Sequence, residues 1–144
     1  MKKIIPILLI ATIFCFSVGY SFNNIYAKEI DKSEQDILYE DIIISALAPT
    51  IQETLIEYYK NIIIDSPNYD SSTIKIISLG RPNGDRTWLF NINIEVNPYI
   101  GPHIPIGKDI LSIQLDSNGK QTLLDFKHLE DRPLPERYQD SYIK

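Results

Sequence analysis

The chain has 144 residues, one cysteine and a formal net charge of −5. The excess of acidic side chains disfavours non-specific binding to nucleic acid or to an anionic membrane. With 44% hydrophobic residues, a chain of this length suits one domain with one core.

Residues 1–27 have the pattern of a secretory signal peptide. Lys2 and Lys3 precede an apolar run that extends from Ile4 to Val18, and polar residues follow it before Ala27. The run is shorter than the roughly 20 residues that a membrane span needs. We therefore predict cleavage after Ala27, which leaves a secreted or extracytoplasmic protein without a transmembrane segment; an uncleaved leader would retain the chain at the cell envelope.

Removal of the leader also removes Cys15, because this residue lies inside the apolar run. The small residues that precede a lipoprotein cysteine are missing, so we expect no lipid anchor there. Without cysteine, the mature chain can form neither disulfides nor thiolate metal sites, and it has no cysteine nucleophile.

Residues 28–129 are predicted to form a single α+β domain that begins with a helix. Ser33 can cap the helix, and Pro49 either kinks it or separates two abutting helices. Apolar residues then recur at spacings of three and four, which predicts one buried stripe. The stripe consists of Ile44, Ala48, Ile51, Leu55, Tyr58 and Ile62.

Four strands follow the helix. Residues 73–79 are rich in β-branched side chains, and residues 88–96 alternate apolar with mostly polar side chains, which places Trp88 and Phe90 on the buried face. Residues 109–115 and 121–126 flank a turn at 116–120. The order predicts a helix packed on a four-stranded antiparallel sheet of two hairpins, cystatin-like by architectural analogy.

Residues 130–144 are polar and contain Pro133 and Pro135, so we predict a flexible C-terminal tail. The alternative is an extended segment that docks on a partner through Leu134, Tyr138 and Tyr142.

The most constrained loop of the sequence contains one of the two histidines. Gly101 and Pro102 fix a bend before His103, and Pro105 and Gly107 restrict the backbone after it. Such a loop could present the imidazole for binding or for chemistry. A purely structural role, in which the imidazole hydrogen-bonds backbone carbonyls of the turn, stays open beside these two.

Lys127 and His128 form a second candidate site at the end of the last strand. The strand period places His128 on the face opposite Asp125, so Asp125 is a poor partner for the imidazole. If the sheet brought His103 and His128 together, Asp109 or Glu95 could complete a zinc site. The spacing matches no compact metal motif, and we predict no metal or other cofactor.

Several of these motifs together resemble a bacterial family labelled domain of unknown function 3888. They are Pro49-x-Ile51, Tyr58-Tyr59, Gly101-Pro102-His103 and Asp125-Phe126-Lys127-His128, within residues 38–129. The family pattern has Asn-Pro-Pro-Tyr-Gly where this chain has Ile104-Pro105-Ile106-Gly107. The resemblance implies a short secreted protein and no known activity, with Gly101, Pro102, His103, Lys127 and His128 at the positions of a shared role.

The leading functional hypothesis is a non-catalytic module that binds a protein, a peptide or an envelope ligand through the Gly-Pro-His loop. Its basis is a rigid loop on a small acidic scaffold that lacks a nucleophile elbow, a phosphate loop and a paired-carboxylate signature. The alternative is a metal-assisted or histidine-based hydrolase that uses His103 and His128.

Overall fold

A computed structural model describes residues 32–143, with the side chain of Lys32 left out. The signal peptide predicted for residues 1–27 lies outside the described residues. Between residues 32 and 143, no helix combines the length and the apolarity that a membrane crossing requires.

Helix α1 runs from Lys32 to Tyr59 without interruption, so the alternative of two separate helices is wrong. Pro49 lies on the exposed side of α1, where the carbonyl that loses its partner faces water. The buried face repeats every three or four residues, and it consists of Ile44, Leu47, Ile51, Leu55 and Tyr59. The predicted stripe therefore shifts slightly, and Ile62 follows the end of the helix and is exposed.

Six strands follow the helix: β1 (Lys75–Gly80), β2 (Phe90–Val96), β3 (Tyr99–Ile100), β4 (Ile104–Pro105), β5 (Gly107–Leu115) and β6 (Gln121–Asp131). Four of them form the antiparallel main sheet, in the order β1-β2-β5-β6. This confirms the predicted α+β architecture of a helix on a four-stranded antiparallel sheet; the comparison with cystatins remains an analogy. A separate two-stranded ribbon, β3 and β4, is inserted between β2 and β5.

The core lies between α1 and one face of the sheet. On that face Ile92 pairs with Ile113, and Ile94 pairs with Leu111, and all four side chains are buried. The prediction for Trp88 is wrong, because β2 begins only at Phe90 and the Trp88 side chain is 72% exposed. Alternation in the sequence continues through Trp88, but pairing with β5 ends where Phe90 meets Leu115, so no strand within residues 32–143 pairs with Trp88 to hold it over the core.

The fold continues beyond residue 129, so the predicted domain boundary needs correction. Strand β6 extends to Asp131, Leu134 is buried, and a 3-10 helix spans Glu136–Ser141. Tyr142 forms an isolated bridge with Ile63. The apolar residues of the segment explain this packing, since Leu134 joins the core and Tyr138 and Tyr142 pack against it. The anchors considered for docking a partner thus contact the chain's own core.

Candidate functional site

The Gly-Pro-His loop forms the tip of the β3–β4 ribbon. Ile100 pairs with Ile104 at the base of the tip, and both side chains are buried. The amide of Tyr99 donates to the carbonyl of Asn68, and the amide of Asn68 donates to the carbonyl of Tyr99, each over 2.8 Å. The tip therefore rests on a base that the core holds in place.

The backbone of the tip is left-handed at two positions. Gly101 has φ of 49° and His103 has φ of 58°. Glycine adopts this conformation freely, whereas a side chain makes it unfavourable by about 1–2 kcal/mol. The amide of His103 donates to the carbonyl of Gly101 over 2.9 Å, which closes the bend.

The exposed side chains of this loop are Pro102, His103 and Pro105. The imidazole of His103 stacks on the ring of Tyr99 with centroids 4.3 Å apart and planes at 21°. Hydrogen bonds from Ser72 lower the pKa of the nearby Asp70, and the charge of His103 contributes to the same shift. His103 thus belongs to an exposed aromatic and proline surface rather than to a cavity.

A second cluster surrounds the buried carboxylate of Asp109, whose side chain has no exposed surface. Tyr59 donates its hydroxyl to Oδ2 over 3.1 Å, and Nδ1 of His128 lies 2.6 Å from Oδ1. On the other side of the ring, Nε2 of His128 lies 3.0 Å from Oδ1 of Asp131. The ring of Tyr58 stacks on the imidazole with centroids 5.2 Å apart. We call Tyr58, Tyr59, Asp109, His128 and Asp131 the Asp109 cluster.

Gly107 allows this cluster to close. A Cβ atom at Gly107 would lie 2.3 Å from the Tyr59 hydroxyl and 2.9 Å from Cε1 of His128. Both distances are below what carbon contacts permit, so only glycine fits here without a shift of its neighbours. The glycine that the sequence pattern placed in the histidine loop therefore serves the Asp109 cluster.

Burial and hydrogen bonds shift the pKa values of the side chains in the cluster. Burial lowers the pKa of His128, but the hydrogen bonds with Asp109 and Asp131 outweigh it and leave the pKa raised. Burial raises the pKa of Asp109, against the opposing hydrogen bonds from His128 and Tyr59. Burial and the neighbouring Asp109 also raise the pKa of Tyr59, which stays a neutral donor. A protonated imidazole can donate to both carboxylates at once.

The structure separates the residues that the sequence grouped together. His103 contacts Tyr99, whereas His128 belongs to the Asp109 cluster. Lys127 is exposed and pairs with Ile110, and Glu95 forms ion pairs with Lys75 and Lys108. Over residues 32–143, no group of three or more histidine, cysteine or acidic side chains could hold a metal ion.

Sequence reasoning missed Asp131 as a partner of His128. The hydrogen bond joins residues three apart in β6, and such a pair was not expected within a strand, where alternate residues share a face. Sequence reasoning named Asp109 only as a possible zinc ligand, although an acidic residue within an apolar strand is a signal for a buried polar partner. Asp125 lies opposite Ser112 in the β5–β6 pairing, and the carboxylates that His128 contacts are those of Asp109 and Asp131.

Fold and site together define a small α+β domain with a cluster of histidine and tyrosine side chains around a buried aspartate, and with an exposed histidine loop. Residues 39–130, more than half of the chain, match the family model described as "Protein of unknown function (DUF3888)". The chain belongs to this family. No curated protein and no solved structure matches the chain.

Proposed function

We propose that this protein is a non-catalytic binding module that acts outside the cytoplasm and contacts a peptide, a protein or an envelope component through the tip of the β3–β4 ribbon. The cationic start and apolar run of residues 1–18 support the location. The geometry of His103 supports the binding role.

The observation that carries the proposal is an unfavourable backbone conformation at an exposed residue. His103 has φ of 58°, a left-handed conformation that glycine adopts more readily than any residue with a side chain. Its imidazole lies flat on Tyr99 instead of in the core. Strained residues that the surrounding structure holds in place are concentrated at ligand-binding sites.

The surface of the tip suits a ligand that makes flat contacts. Pro102 and Pro105 are rigid, and the stacked imidazole and phenol rings add aromatic area at low conformational entropy. Because the base of the ribbon is buried and hydrogen-bonded to Asn68, binding would require little ordering of the protein.

Site-specific photo-crosslinking in the producing cells tests this proposal. A benzophenone side chain at position 102 is compared with one at position 118, an exposed turn residue of the β5–β6 hairpin. We expect a discrete adduct from position 102 alone, and we expect His103→Asn to abolish it. Asparagine tolerates the left-handed backbone, so this variant removes the imidazole without straining the turn.

Two results would count against the binding role. One is an equal adduct pattern from positions 102 and 118. The other is an adduct that survives His103→Asn while the variant melts at a much lower temperature, which would assign His103 a structural role in the turn.

A further inference from the structure

The opposite end of the sheet, at the turn between β1 and β2, carries a different recessed surface. A cavity of about 440 Å³ is lined by Leu79, Arg81 and Phe90, among others. A neighbouring cavity of about 340 Å³ is lined by Arg81, Arg86 and Trp88. We call these five residues the β1 end site.

The two arginines of this site are available for an anion. Within residues 32–143, neither Arg81 nor Arg86 has a carboxylate within ion-pair distance. The guanidinium of Arg81 lies 5.2 Å from the centroid of the Phe90 ring. This contact holds the guanidinium group beside the cavities. Guanidinium groups bind carboxylates through paired hydrogen bonds.

Trp88 lies beside these cations with most of its side chain in solvent. Tryptophan and arginine are the residues that most often dominate binding energy at interfaces. An exposed indole that lines the same cavity as two guanidinium groups, neither of them ion-paired within residues 32–143, therefore offers both apolar area and charge to one ligand.

Strand β1 supplies the third element of the site. It is the first strand in the order β1-β2-β5-β6, so only one of its edges pairs with a strand of the described chain. The strand runs toward Arg81, and regular pairing with β2 resumes at Ser78 after a bulge. A peptide that adds to the outer edge in the parallel direction would place its C-terminus near Arg81.

From this arrangement we propose that the β1 end site binds the free C-terminus of an extended peptide. The terminal carboxylate lies between Arg81 and Arg86 beside Trp88. The preceding residues pair with Ser78–Gly80, and one apolar side chain enters the cavity of Leu79 and Phe90. This surface is separate from the histidine loop, so the inference goes beyond the binding role proposed for that loop.

Asp85 sets the position of the carboxylate. It lines the larger cavity together with Leu79 and Phe90, but it does not line the cavity of Arg86 and Trp88. The cavity of Arg86 and Trp88 is therefore the more favourable one for an anion. Because Asp85 repels a carboxylate nearby, Asp85→Asn is expected to strengthen binding.

The test uses arrays of random hexapeptides that are anchored by their N-termini. One array has free C-terminal carboxylates and a matched array has C-terminal amides; both are probed with the purified full chain, and selected peptides are titrated in solution. We expect binders on the carboxylate array only, and about a tenfold or larger loss of affinity on amidation and in Arg86→Gln. N-methylation of alternate peptide nitrogens should weaken binding, since it removes donors to β1.

Matched controls separate this site from other effects. Arg137→Gln removes a remote cation that lies over Tyr138 and should leave affinity unchanged. Thermal melting confirms that each variant is folded. The proposal is overturned if the arrays yield no carboxylate-dependent binder, or if the selected peptides bind Arg86→Gln as tightly as the wild type.

Discussion

The contact between Gly107 and Tyr59 gives the sharpest test of the Asp109 cluster. In Gly107→Ala, the new Cβ would lie 2.3 Å from the Tyr59 hydroxyl, 2.9 Å from Cε1 of His128 and 3.1 Å from the carbonyl of Glu130. The hydroxyl must move, which weakens its hydrogen bond with the buried Asp109.

The magnitude follows from two effects. Overpacking of a well-packed site destabilises by about 1–3 kcal/mol, and a weakened hydrogen bond to a buried charge adds about 1–2 kcal/mol. We therefore expect Gly107→Ala to reduce the free energy of unfolding by about 2–5 kcal/mol. Urea titration followed by circular dichroism measures this change.

Gly80→Ala is the matched control, because a Cβ at Gly80 meets nothing within 4 Å and its φ is not left-handed. It should leave stability unchanged or raise it by about 0.4–1 kcal/mol through a less flexible unfolded chain. Tyr59→Phe provides a second check, since it removes the atom that approaches closest. In the Tyr59→Phe background, Gly107→Ala should reduce the free energy of unfolding by at least about 1 kcal/mol less than it does in the wild type. Equal losses for Gly80→Ala and Gly107→Ala would refute the close packing, and strict additivity with Tyr59→Phe would refute the role of the hydroxyl.

Three further predictions address ionisation and packing. The pKa of His128 is raised in the folded protein. The stability that His128 contributes is therefore complete below its unfolded pKa of about 6.5 and is lost as pH rises through the folded pKa. Urea midpoints should fall across this pH range in the wild type but not in His128→Gln. Leu134→Ala should reduce the free energy of unfolding by about 2–5 kcal/mol because Leu134 is buried. Leu129→Ala, at a half-exposed position, should have a much smaller effect. Equal effects of the two variants would show that the C-terminal segment does not pack. Trp88→Ala should change stability by no more than about 0.5 kcal/mol, since the side chain is largely exposed, and a large drop in melting temperature would place Trp88 in the core.

Local patterns in the sequence predicted the elements of this fold well. The spacing of Ile44, Ile51 and Leu55 identified the buried face of α1, and the alternation from Ile92 to Val96 identified the buried face of β2. Turn residues at 116–120 separated β5 from β6, as the structure shows. These predictions succeeded because each depends on neighbours within about ten residues.

The ends of the elements were harder to predict. Alternation in the sequence continues to Trp88, but β2 starts at Phe90, where pairing with β5 ends. The segment after residue 129 looked too polar to pack, yet Leu134 is buried in the core, and Tyr138 and Tyr142 pack against it. Both outcomes depend on which strand or helix lies opposite, and a single sequence does not state this.

The sequence by itself determined the class of the domain, the face that each main element buries, and the glycine and histidine positions of interest. Only the tertiary structure decided that Gly107 and His128 meet at Asp109 while His103 remains outside with Tyr99. The physical reason is register: pairing of β5 with β6 places Asp109 beside His128, and the end of α1 brings Tyr59 to the same point across 50 residues of chain.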